Sequence, residues 1–138
     1  MSQLENFDVV IDSPVGRLGI WLAGICVSRI RFLDRRFALQ PPADSAGRRV
    51  VAALEDYFVS AHSLPSIEVA ARGTDFQQRV WRALRAIPPG QVVTYGALAR
   101  RLRSSARAVG NACRHNPVPI VVPCHRVVAA AGPGGFAG

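Results

Sequence analysis

The chain has no lysine, no carboxylate after Asp75, no apolar run long enough for a bilayer, and three cysteines in 138 residues. Each shortage excludes something. Cys26, Cys113 and Cys124 are an odd, scattered set. They fit a reducing compartment better than a cross-linked secreted domain. The apolar run over 18–27 is too short to span a membrane. Glu5, Asp8 and Asp12 ahead of it are unlike a signal peptide. A cytoplasmic protein with no membrane role is expected. All seventeen basic residues are arginine. Codon bias accounts for arginine over lysine but not for the missing acids. Residues 1–75 hold eight arginines against nine acids, net −1, and residues 76–138 hold nine arginines and no acid, net +9. A basic half joined to a near-neutral half predicts a polyanionic partner, with nucleic acid the first candidate.

What is present falls into two patterns. In the first third, Phe7, Val9 and Ile11 alternate, as do Leu18, Ile20 and Leu22, and Ile30 and Phe32 alternate with Arg29 and Arg31. Period two, with Ser13-Pro14 and Gly16 between the first runs, predicts an antiparallel meander. Residues 40–47 read as a loop. Val50, Val51, Leu54, Tyr57 and Phe58 then follow the helical period. Residues 60–66 read as a linker holding an exposed His62, and 67–70 as one more strand.

From Gly73 the pattern turns helical. Thr74 and Gln77 have the spacing of a capping box. Phe76, Val80, Trp81, Leu84 and Ile87 form one apolar stripe that ends at Pro88-Pro89-Gly90. Thr94 caps a second helix from Tyr95 to about Arg101, and Ser104 or Ser105 caps a third from Ala106 to about His115. Two short helices joined by a short turn are a helix-turn-helix candidate. Arg100, Arg101, Arg103, Arg107 and Arg114 favour DNA as its partner.

Beyond Asn116-Pro117 the residues Val118 to Val122 read as extended and apolar, followed by Pro123-Cys124-His125-Arg126. A thiol flanked by His and Arg is a nucleophile candidate, because neighbouring cationic donors favour the thiolate. Consecutive side chains on an extended strand point to opposite faces. A direct Cys124–His125 pair therefore needs a bridging water or a tight turn at Pro123. Cys113, His115, Cys124 and His125 do not match zinc-site spacings, so no metal is expected. Cys26 and Cys113 read as small core residues.

The run from Asn116 to Val127 resembles the active-site segment of O6-alkylguanine-DNA alkyltransferases. Gly73-Thr74-Asp75-Phe76-Gln77 with Val80-Trp81, Ile87-Pro88, Thr94-Tyr95 with Leu98-Ala99, and Arg107-Ala108-Val109-Gly110 follow the family's order and spacing. The likeness is close over 73–138. Before that it is loose, resting on Ser13-Pro14-Val15-Gly16 and the strands after it.

The resemblance implies an α+β protein. A small antiparallel sheet with a helix, ribonuclease-H-like, would occupy 1–70. A DNA-binding and active-site domain with a helix-turn-helix would occupy 71–138. It implies a single-turnover DNA-repair alkyltransferase, in which Cys124 accepts the alkyl group from O6-alkylguanine, with O4-alkylthymine a further candidate substrate. His125 would take the thiol proton through a water. Asn116 would buttress the active-site segment, and Tyr95 would hydrogen-bond the guanine. Arg107 would enter the base stack and fill the space of the flipped nucleotide. Ser105 and Ala106 would lie against the minor groove, with Ala108 and Gly110 small enough for close approach. Thr94 and Arg114 complete the expected DNA-contacting set. Pro119 and Phe136 would wall the alkyl pocket, the backbone carbonyls near Cys124 and Val127 would read the exocyclic amine of the guanine, and the N–H of Ala137 would face O6, completing the substrate pocket. The family's glutamate partner of the histidine has no counterpart between Asp75 and Gly138: either activation would rest on His125, solvent and local dipoles, or the segment that carries the glutamate would lie beyond these residues.

The implied partner is double-stranded DNA carrying alkylated guanine. A nucleoid-associated monomer, open to cooperation along DNA, would meet it with no cofactor. The rival readings are a non-catalytic lesion-binding relative, a helix-turn-helix regulator with a redox cysteine, and a thiol hydrolase, which the Cys–His adjacency disfavours. Base extrusion costs a few kcal/mol in the transfer and lesion-binding readings, and a wedge residue offsets part of it.

Overall fold

The computed structural model describes residues 6–60 and 67–129. They fall into two compact units divided between Ala71 and Arg72, and the fold is α+β. In the first unit, strands β1 (Val9–Ser13), β2 (Gly16–Ala23) and β3 (Cys26–Leu33) form an antiparallel sheet in that order. Val9 pairs with Ile20, and Ile20 with Ile30. The alternation thus puts Val9, Leu18, Ile20 and Ile30 in the core. Helix α1 (Ser45–Ser60) adds Val50 and Leu54 to that core.

Several expectations for this unit change. Helix α1 begins inside the expected loop over 40–47, because Asp44 Oδ1 accepts the Gly47 N–H at 2.9 Å and caps it. The strand expected over 67–70 reduces to one parallel bridge between Val69 and Val27. Phe32 pairs with Leu18 near the strand end and stays 53% exposed. Cys26, at the start of β3 beside a tight turn, is half-buried and not a core residue. His62 lies outside the described residues.

The second unit holds α2 (Asp75–Arg85), β4 (Val93–Thr94), α3 (Tyr95–Arg101), α4 (Ala106–Arg114) and β5 (Val127–Val128). The capping box forms as read: Thr74 Oγ1 accepts the Gln77 N–H at 3.1 Å, and Gln77 Oε1 accepts the Thr74 N–H at 2.9 Å. The Trp81 indole N–H donates to the Ala112 carbonyl at 2.9 Å and ties α2 to α4. Gly73 lies under that indole. A Cβ there would fall 2.5 Å from Trp81 Cη2, so the approach demands glycine.

The α3–α4 connection contains no glycine, yet it makes the turn that glycine usually makes. Ser104 N–H donates to Ala99 O at 2.8 Å and Arg103 N–H to Arg100 O at 3.2 Å. This is the Schellman pattern, with Arg103 at the left-handed position, φ +56°. A side chain there costs about 1–2 kcal/mol, less what glycine loses in entropy. Arg103→Gly is therefore expected to stabilise the protein by up to about 1 kcal/mol, read as a higher Tm. An unchanged or lowered Tm would contradict this.

Two features of this unit depart from the sequence reading. The stretch over 118–122 is not extended: Val122 N–H bonds back to Val118 O at 3.0 Å, and Ile120 sits at φ +76°. In addition, β4 and β5 pair in parallel, Val93 with Val127 and Thr94 with Val128. Neither pairing partner shows enough periodicity to be read as a strand. Among the described residues no helix is long and apolar enough to cross a membrane.

Candidate active site and nucleic-acid interface

Cys124 opens a 3-10 turn, Cys124–Arg126. Arg126 N–H closes it on Pro123 O at 3.0 Å, and Cys124 N–H bonds to Val122 O at 2.9 Å. The thiol is half-buried, so it is held by its backbone and still open to a ligand. The turn also resolves the extended-strand objection, since Cys124 and His125 do not alternate across a strand. Among the described residues no direct hydrogen bond joins them.

The segment before the turn is shaped by one side chain. Asn116 Nδ2 donates to Val122 O at 2.8 Å, and its Oδ1 accepts the Val118 N–H at 2.9 Å. The amide thus spans the bend and satisfies two backbone groups in the middle of buried Val118, Val121 and Val122. That clamp holds Ile120 in the left-handed region, where a β-branched residue is strained.

The other side of the turn is fixed from inside. Arg126 is 5% exposed, and its Nη1 donates to Ile87 O at 2.7 Å, just past the end of α2. Its place beside Cys124 in the sequence makes Arg126 a candidate donor near the thiol. Instead its guanidinium is turned inward. A lone charge in the apolar stretch over 118–128 was the available signal, because such a group needs carbonyl or carboxylate partners when buried.

The three cysteines differ in chemistry. Burial raises the Cys113 thiol to about 12, the charge of Cys124 adds to this, and Arg114 opposes it. Cys113 therefore stays protonated at neutral pH and fits its expected core role, at 2% exposure. His125 stands at the surface. Partial burial of its ring and, second, the Arg126 cation hold its pKa below the ordinary histidine value. It is neutral at physiological pH and able to accept a proton.

Tyr95 is brought to the turn through the backbone. It follows Thr94 directly, and Thr94 pairs with Val128. The Tyr95 ring is half-buried beside α4: a Cβ on Gly110 would lie 3.9 Å from Tyr95 Cε1. Gly110 thus faces the inside of the helix pair. Thr94 Oγ1 accepts the Ala97 N–H at 3.0 Å and Ser105 Oγ accepts the Ala108 N–H at 3.1 Å, so both hydroxyls are engaged as caps. Ser105, Ala106, Arg107 and Arg114 are exposed, and Ala108 is half-exposed. The Arg114 guanidinium rests on the Asn111 side-chain oxygen. Val127 is buried and Pro119 half-buried. Phe136 and Ala137 lie outside the described residues.

The profile of the 6-O-methylguanine DNA methyltransferase DNA-binding domain matches residues 75–138. A protein of Mycobacterium bovis named methylated-DNA–protein-cysteine methyltransferase is 41% identical over 128 residues, covering 88% of this chain and 78% of the relative. One of the same name in Salmonella typhimurium is 52% identical over 82 residues, covering 57% of this chain and 48% of the relative. Among solved structures, Mycobacterium tuberculosis OGT in complex with DNA matches with a TM-score of 0.77 at 40% identity, covering 90% of this chain and 79% of that one. Likeness of that degree, running well beyond the helix-turn-helix into the sheet-bearing half, makes this chain a member of the methylated-DNA–protein-cysteine methyltransferase family.

Proposed function

We propose that this protein repairs duplex DNA by moving the alkyl group of O6-alkylguanine onto Cys124 Sγ. The protein binds DNA through its helix-turn-helix unit. Arg107, exposed at the start of α4, enters the base stack while the lesion is turned out. Neutral His125 takes the thiol proton through a water. Sγ then forms a bond to the alkyl carbon as the carbon–O6 bond breaks. Tyr95 donates toward the purine that leaves as an anion, which finally takes up a proton. The product thioether has no route back, so each molecule acts once. Contact with DNA is mainly to phosphates and is therefore salt-sensitive.

The observation that carries this reading is the half-buried Cys124 on a turn tied at both ends, while Cys113 is locked in its neutral form. The test is the intact mass of the protein after mixing with duplex containing O6-methylguanine. A gain of a single methyl, mapped to the Cys124 peptide and not exceeded with excess DNA, is expected. Tight lesion binding without mass gain would point to a sensor and end the proposal.

A further inference from the structure

We infer that Arg126 is a positioning residue for alkyl transfer: its buried guanidinium anchors the Cys124 turn against the C-terminal end of α2. The inference rests on the function proposed above.

Arg126 is the charged residue buried among the described ones. Burial of a cation is costly unless strong acceptors meet it. Asp75 is the one described carboxylate of this unit, and it begins α2, whose eleven residues put it roughly 16 Å from the helix's other end. The Ile87 carbonyl, 2.7 Å from Nη1, lies instead where the α2 dipole is negative. The helix end therefore supplies an acceptor that the sequence around Arg126 lacks.

The anchor is short and stiff. Arg126 closes its own turn on Pro123, Cys124 O accepts the Val127 N–H, and Val127 is paired to Val93. Sγ thus sits two residues from a planar guanidinium held at the Ile87 carbonyl, a geometry that a lysine does not reproduce. The same cation helps to keep His125 neutral. Arg126 has no contact with the alkyl carbon in this scheme; it acts through the placement of Cys124.

The test separates chemistry from DNA binding, using the whole chain and O6-methylguanine duplex. In Arg126→Met the single-turnover rate at saturating duplex is expected to fall by about 100-fold, the cost of a misplacement on the order of 1 Å. The half-saturating duplex concentration should stay as in the wild type. Arg126→Lys, which keeps a cation and donors but not the planar guanidinium, should recover part of the rate. A folded Arg126→Met with an undiminished saturated rate would overturn the inference. So would a loss confined to affinity. Should Arg126→Met not fold, Arg126→Lys decides: a saturated rate equal to wild type would refute the need for the planar guanidinium. Wild-type transfer is the internal reference, and its absence would strike the proposed function itself.

Discussion

Cys124→Ala protein mixed with O6-methylguanine duplex is expected to gain no methyl, whereas Cys113→Ala gains one as the wild type does. The contrast follows from the two environments. Cys113 points into the core from the last turn of α4, and with its thiol at about 12 only on the order of one molecule in 10⁵ carries the thiolate at pH 7. Only the thiolate is a competent nucleophile. Cys124 has a half-open side chain and a backbone fixed by Val122 and Pro123. Since α4 and its arginines are untouched by Cys124→Ala, that variant should retain lesion DNA in a polarisation assay as well as the wild type does. A methyl on Cys113 or Cys26 in the Cys124→Ala protein would defeat the assignment.

The second large effect is expected at Asn116. Asn116→Asp conserves shape and keeps an acceptor for the Val118 N–H, but it sets a carboxylate against the Val122 carbonyl, now 2.8 Å from an amide donor. Two oxygens facing each other, with only the Cys124 N–H left as donor to that carbonyl, cost about 3 kcal/mol. That lowers Tm by roughly 10 °C or more. The bend over 118–122 and the Cys124 turn depend on the same bond, so the transfer rate should fall with stability. The introduced carboxyl resists ionisation beside a carbonyl, and once protonated it can donate. The folded-state pKa is raised, so stability is regained as pH falls through it. Asn116→Ala should lose less, about 2 kcal/mol, and show no such recovery. A Tm near wild type for Asn116→Asp would contradict the clamp.

Local signals were legible wherever neighbours in sequence decide the structure. The alternation in β1, β2 and β3, the reciprocal Thr74–Gln77 cap and the Thr94 and Ser105 caps all rest on contacts within a few residues. The segment leading to Cys124 reads as extended because valines favour strands and prolines exclude helix. Its bends depend instead on the Asn116 amide reaching six residues ahead. The β4–β5 pairing joins residues 34 apart through two pairs, Val93 with Val127 and Thr94 with Val128. A two-residue strand has no period to detect. The inward turn of Arg126 likewise depends on the Ile87 carbonyl, 39 residues earlier and just past α2. The reactive residue could thus be named from its neighbours, while the scaffold that aims it is made of long-range bonds.

Ile120 leaves the loop with little slack. A branched side chain at φ +76° is tolerable while the Asn116 amide grips both flanks. Carbon added to Sγ must be accommodated beside the buried Val121 and Val122 of this segment, and a hinge already sprung against its preference yields first. The spent protein should therefore exchange the amide hydrogens of Val118 and Val122 with solvent sooner than the fresh one, before the remaining helices loosen. Identical exchange before and after reaction would mean that the spring is slack after all.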